Sequence, residues 1–135
     1  MKKYTKQELN EIVRLNKVYH DTDGKEGKKA DLSFTNLEDA DLEGADLRGA
    51  DLISSYLIGV FLRGADLTHA YLEGADLSGA NLSCTNLKGA ILKDANLINA
   101  DLIGANLEDA DLTNIKYNDE TIWPEGIDIT KWSKK

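Results

Sequence analysis

Few side chains in this sequence could do chemistry, and they are scattered. Histidine occurs twice, as His20 and His69, and cysteine once, as Cys84, each in a different segment. Nucleophilic catalysis needs a nucleophile and a base within hydrogen-bond reach, oriented by a third group. Cys/His metal spacings, a glycine-rich phosphate loop and a nucleophile elbow are all missing. The glycines of the central region fall at multiples of five residues rather than in a G-x-G-x-x-G turn. Carboxylates are the abundant group, 24 Asp and Glu against 16 Lys and Arg, for a net charge of −8. Carboxylates can hold a hard cation such as Ca²⁺ when several oxygens converge. Whether any two converge here depends on the elements that carry them. The expectation is no catalytic, cofactor-binding or metal-ligating residue, no cofactor, and no enzyme.

At 135 residues the chain reads as one domain with room for a core. Aromatics are 7% and charged residues 30%, but leucine recurs too regularly for a disordered chain. The negative charge argues against direct binding of nucleic acid or an anionic membrane. Cys84 alone cannot form an internal disulfide, so nothing points to an oxidising compartment. Met1 to Asn10 is polar, and no run approaches the ~18 apolar residues of a membrane span. A cytoplasmic protein with no membrane contact is expected.

The organising feature is a period of five. From Ala30 to Asn114 the chain divides into 17 five-residue blocks without an insertion or deletion, and the third residue of every block is leucine. The first is alanine in 13 blocks, the second is Asp in eight and Asn in five, and the fifth is Gly in eight. A step of five rotates a helical side chain by about 140°, so an α-helix would spread the leucines over every face. In an unbroken strand, an odd step would flip each leucine to the opposite face. The pattern makes sense if the chain turns a corner in every block. Alanine and leucine then point inward, the Asp or Asn between them points out, and the fourth and fifth residues make the bend. Glycine at the fifth position supplies the positive φ of a type II turn, and Asn or Asp tolerates it next best. Stacked coils pair their backbones at roughly 4.8 Å and align the leucines in columns.

Blocks such as Ala40-Asp41-Leu42-Glu43-Gly44 and Ala105-Asn106-Leu107-Glu108-Asp109 resemble the A(D/N)LXX signature of the pentapeptide repeat family. The resemblance covers 85 of 135 residues. It implies an all-β solenoid, a right-handed four-sided parallel β-helix of about four coils. Under four blocks per coil, Leu32, Leu52, Leu72, Leu92 and Leu112 form one core ladder. Asp31 then stacks beneath Asp51 and Asp46 beneath Asp66, but two stacked carboxylates lack the further ligands of a Ca²⁺ site. A solvated acidic face is the expectation. Residues 1–29 read as a capping helix and linker, 30–114 as the β-helix, and 115–135 as a C-terminal cap. Thr5-Lys6-Gln7-Glu8 reads as a capping box, with Leu9, Ile12, Val13 and Tyr19 on the covering face of a helix over 5–20. The tail retains Ile122, Trp123, Pro124, Ile127, Ile129 and Trp132, and resembles the Trp-Pro tails that close many bacterial members.

Two functions are weighed. One is a non-enzymatic scaffold for protein–protein interaction, its partner protein unnamed. The other, implied by the family resemblance, is DNA mimicry directed at a type II topoisomerase such as DNA gyrase, as inhibitor or protector. Residues 30–114 hold 15 acids and four bases, net −11, close to the roughly 12 charges of a ~20 Å duplex. Yet residues 50–89 are net only −2, against −5 over 30–49 and −4 over 90–114. The same middle region carries most of the departures from the repeat. Tyr56, Phe61, Tyr71 and Ile91 replace Asp or Asn at second positions, and Ile53 and Ile58 occupy outward fourth positions. Contiguous exposed apolar groups mark contact surfaces. This apolar waist is the candidate interaction surface, for a partner protein or for a homodimer. The C-terminal tail is the other candidate dimer contact.

Overall fold

The computed structural model describes residues 1–132. All 17 fifth positions have positive φ, from 53° at Phe34 to 69° at Gly104, so every block bends where the pattern places the corner. The turn closes by a hydrogen bond from the first residue of the next block to the leucine carbonyl, as from Ala40 N–H to Leu37 at 3.0 Å. Parallel pairing recurs at a spacing of 20 residues, Asp31 with Asp51, Asp51 with Tyr71, Tyr71 with Ile91 and Ile91 with Asp111. Twenty residues hold four blocks, so each coil has four corners and four faces. Blocks beginning at Ala30, Thr35, Ala40 and Ala45 start faces 1, 2, 3 and 4. Between coils, Leu32 N–H donates to the Asp51 carbonyl at 2.7 Å and Asp51 N–H to that of Ala30 at 3.0 Å. The column is therefore stitched by backbone throughout, and side chains are free to fill the inside and decorate the outside.

Inside, Leu32, Leu52, Leu72, Leu92 and Leu112 are each 0% exposed, above and below one another on face 1. Leu107 differs from the other third-position leucines in being only partly buried. Above it the column is incomplete. The chain continues over face 2 as far as Lys116, paired with Asn96, and over face 3 as Ile122, paired with Asp101 at an offset of 21. No described residue pairs above Asn106 on face 4. Tyr117, Trp123 and Ile127 pack against the upper core, Tyr117 and Trp123 edge to face at 5.6 Å. The Trp132 side chain lies outside the described residues.

Outside, all 13 Asp and Asn side chains at second positions do the same job. Each accepts, through Oδ1, the N–H of the residue two further on. That Asx geometry satisfies a donor the coil-to-coil pairing leaves over. Four fifth-position side chains lean toward a glycine 20 residues later, Asp39 toward Gly59, Ser54 toward Gly74, His69 toward Gly89 and Cys84 toward Gly104, whereas Phe34 is followed by Ser54 and Asp94 by Asn114. A methyl on Gly89 would overlap the His69 imidazole, and its φ is +67°. Gly89→Ala is therefore expected to cost about 1–2 kcal/mol. Urea denaturation should show a smaller penalty in a His69→Gly background; equal penalties would show that the corner column is not crowded.

Below the first coil lies α1 (Lys6–Asp21), opened by Thr5 with both bonds of the capping box present. Leu9 is buried, and Ile12, Val13 and Tyr4 pack against the core. Tyr19, expected on the covering face, instead sits beside Gly24 and edge-on to His20 at 5.1 Å. Its place is taken by Asn16, 0% exposed. The Asn16 amide donates to the carbonyls of Asp46 at 3.0 Å and Arg48 at 3.1 Å, and accepts from Ala30 N–H at 2.9 Å. Elsewhere in the column those carbonyls receive third- and fifth-position N–H groups from the coil below. One side chain stands in for the backbone of a missing coil. Arg48 adds a charged clasp, with Asp46 and Asp21 each 2.7 Å from Nη2.

Candidate functional site

The six waist residues project from three neighbouring faces. Ile53, Tyr71 and Ile91 are on face 1, Tyr56 and Ile58 on face 2, and Phe61 on face 3. The rings are the exposed members, Tyr56 at 46%, Phe61 at 48% and Tyr71 at 37%. Ile53, Ile58 and Ile91 are half-buried. Tyr71 pairs with Asp51 below and Ile91 above, whereas Tyr56 lies between Asn36 and Asp76, and Phe61 between Asp41 and Asn81. Among the described residues the Lys29 ammonium is the cation over one of these rings, 5.0 Å from the Tyr71 centroid. Face 4 has no apolar second position; Asp46, Asp66, Asn86 and Asn106 occupy it.

Replacing Asp or Asn by an apolar residue has a backbone consequence. With no Asx acceptor, the N–H groups of Ile58, Arg63, Glu73 and Lys93 find no acceptor among the described residues. The waist thus couples apolar side chains to spare backbone donors. Two of the four spare donors, Glu73 and Lys93, are stacked on face 1 in adjacent coils.

Phe34 belongs with this surface although its sequence position did not single it out. It is 62% exposed and holds a φ of +53°. A left-handed conformation costs a side-chain-bearing residue roughly 1–2 kcal/mol, and no packing here repays it. Phe34 N–H donates to the Ile53 carbonyl at 3.0 Å, which places the ring at the foot of the waist, at the corner between faces 1 and 2. The available signal was a phenylalanine at a fifth position, where Gly, Asp or Asn is the rule.

The acidic ladders are structural. Asp31 pairs with Asp51 and Asp46 with Asp66, but each Oδ1 is committed to its own turn. The side-chain and backbone bonds from Ser33 hold the Asp31 carboxyl below its ordinary range. Burial opposes ionisation of Asp46, yet the bonds from Arg48 prevail and lower it too. Among the described residues no cluster of three or more His, Cys, Asp or Glu could hold a metal. His20 donates through Nδ1 to the Asn16 carbonyl at 2.9 Å. It lies far along the chain from His69 and Cys84, which occupy corners of faces 4 and 3. No helix of the described residues is long and apolar enough to cross a membrane.

The family model for pentapeptide repeats matches residues 28–64, 45–83 and 80–116. Among solved structures, the chain is similar to the pentapeptide repeat protein Rfr23 of the cyanobacterium Cyanothece 51142, 41% identical, with a TM-score of 0.72 over 74% of this chain and 68% of that one. A pentapeptide repeat protein from the Arabidopsis thaliana thylakoid lumen is 30% identical, with a TM-score of 0.56 over 69% of this chain and 72% of that one. None of the curated proteins matches. Together with 20-residue coils and a corner in every block, these matches make the column a right-handed β-helix, and the chain belongs to the pentapeptide repeat family.

Proposed function

We propose that this protein is a non-enzymatic cytoplasmic scaffold that binds another protein through the waist of its column. The observation that carries this reading is the coincidence at Tyr56, Phe61, Tyr71 and Ile91. At these four positions an outward apolar side chain replaces the Asx acceptor and leaves a backbone donor spare. Aromatic side chains beside donors that need acceptors suit a desolvated protein contact. The other second positions are Asp or Asn, each held to its own turn. The triple variant Tyr56→Asn, Tyr71→Asp and Ile91→Asn restores the repeat consensus at three waist positions. It is expected to keep the β-rich circular dichroism spectrum and to lose bound protein by about tenfold or more in affinity. Unchanged sedimentation together with an unchanged set of co-purified proteins would reduce the waist to sequence drift.

The solenoid's net charge of −11 favours the second reading, DNA mimicry toward a type II topoisomerase. Its distribution weighs against that reading, because residues 50–89 carry only −2 of it. Micromolar protein is expected to leave DNA gyrase supercoiling unaffected. Inhibition that vanishes when Asp41, Glu43 and Asp101 are neutralised together would reverse the ranking.

A further inference from the structure

The first four coils of face 1 divide into halves of opposite hydrogen-bonding character. Its lower second positions, Asp31 and Asp51, are carboxylates whose Oδ1 serves the turn and whose Oδ2 has no partner among the described residues. Above them Tyr71 and Ile91 leave the Glu73 and Lys93 N–H groups spare, and the top second position of the face, Asp111, is again a carboxylate that accepts from Thr113. The Lys93 side chain is exposed in the upper half, and the Lys29 ammonium reaches the Tyr71 ring. From Asp31 to Ile91, free carboxylate oxygens lie below and spare donors above, where the Lys93 ammonium stands with the Glu73 carboxylate. Faces 2 and 3 have one apolar second position each within the repeats, and face 4 has none.

A surface split in this way fits itself when turned end over end. We propose that the partner at the waist is a second copy of this chain, docked antiparallel across face 1 about a two-fold axis between Asp51 and Tyr71. This rests on the waist being a contact surface, and adds its occupant. The two-fold axis lies in the interface and preserves position across the face while inverting height. Asp51 of one copy then meets the Glu73 N–H and Tyr71 ring of the other, and Asp31 meets the Lys93 N–H and ammonium. Each carboxylate lies across the face where an Asx acceptor would lie, so it faces the vacant acceptor position of the opposing coil. Ile53 meets the aliphatic part of Glu73, and Phe34 lies across from the Asp94 corner, beside the aliphatic stem of Lys93. A parallel arrangement would set Asp31 against Asp31 and Lys93 against Lys93, like charges at equal height.

Sedimentation velocity on the full chain tests this. Wild type should sediment as a reversible dimer, twice 14.9 kDa, at high micromolar concentration. Lys93→Glu alone sets two acids together, and Asp31→Lys alone sets two lysines together; each should weaken dimerisation about tenfold or more. Mixed in equal amounts, the two variants should recover it. In the heterodimer the introduced lysine faces the introduced glutamate at one end, and the native pair of Lys93 with Asp31 is kept at the other. Both should keep the fold, since four second positions already lack an Asx residue and Lys93 is exposed; circular dichroism checks this. A monomeric wild type, a dimer indifferent to Lys93→Glu, or a mixture that stays monomeric overturns the antiparallel copy. If wild type is monomeric yet loses a protein partner in the waist triple variant, the second copy is excluded and the contact surface stands.

Discussion

Leu72→Asp is expected to abolish the folded column. Leu72 is 0% exposed, with Leu52 and Leu92 one coil below and above it on the same face, both also 0% exposed. A carboxylate at that point has no partner, and an unpaired buried charge costs several kcal/mol even after the group neutralises itself. The lost leucine packing adds about 2–5 kcal/mol by comparison with ordinary core truncations. The sum rivals the roughly 5–15 kcal/mol that holds a typical domain together. Circular dichroism should show loss of the β signal, or a melting temperature lowered by more than about 15 °C. The neighbouring change Tyr71→Asp supplies the control. The same residue type one position away faces outward and can accept the Glu73 N–H, so it should leave melting nearly unchanged. A wild-type melt for Leu72→Asp would refute the inward register.

Asn16→Leu is expected to be almost as damaging, although it replaces a polar residue by an apolar one of similar size in a buried place. The Asn16 side chain satisfies the carbonyls of Asp46 and Arg48 and the N–H of Ala30, with bonds of 3.0, 3.1 and 2.9 Å. Leucine would leave all three groups buried without partners, at about 1–3 kcal/mol each. Partial rescue by water would bring the total to roughly 3–6 kcal/mol, read as a shift of the urea midpoint at constant slope. Asn16→Asp should be worse than leucine, because a carboxylate would face two carbonyl oxygens. A leucine variant within about 0.5 kcal/mol of wild type, the range of an ordinary surface change, would show that α1 covers the column by apolar contact alone.

The regular part of this architecture was legible because its causes are local. A leucine at the third position of every block, an Asx side chain bonding two residues ahead and a corner residue tolerant of positive φ are each visible within five residues. Repetition turned them into a column. The capping box of Thr5 and Glu8 was legible for the same reason, a side-chain exchange across three residues. The candidate surface was partly legible, since Tyr56, Phe61, Tyr71 and Ile91 break a strict rule at outward positions.

What the tertiary structure decided lies where the period ends or where two distant coils meet. Asn16 looked like one polar residue in a helix; its role exists only because α1 carries it to the backbone of Asp46 and Arg48, 30 and 32 residues away. Tyr19 lies about 60° around the helix from Asn16, at the edge of the covering face, and its ring sits beside Gly24. Leu107 fits the repeat, yet no described residue pairs above its block, so its burial depends on where the tail leaves the column. The exposure of Phe34 and the stacking of spare donors on face 1 required knowing which blocks lie over which, a register set by coil length. The sequence alone determined the repeating unit, because one block contains the interactions that shape it. Tertiary structure decided the ends and the shape of the candidate surface, because those interactions join residues that no local pattern relates.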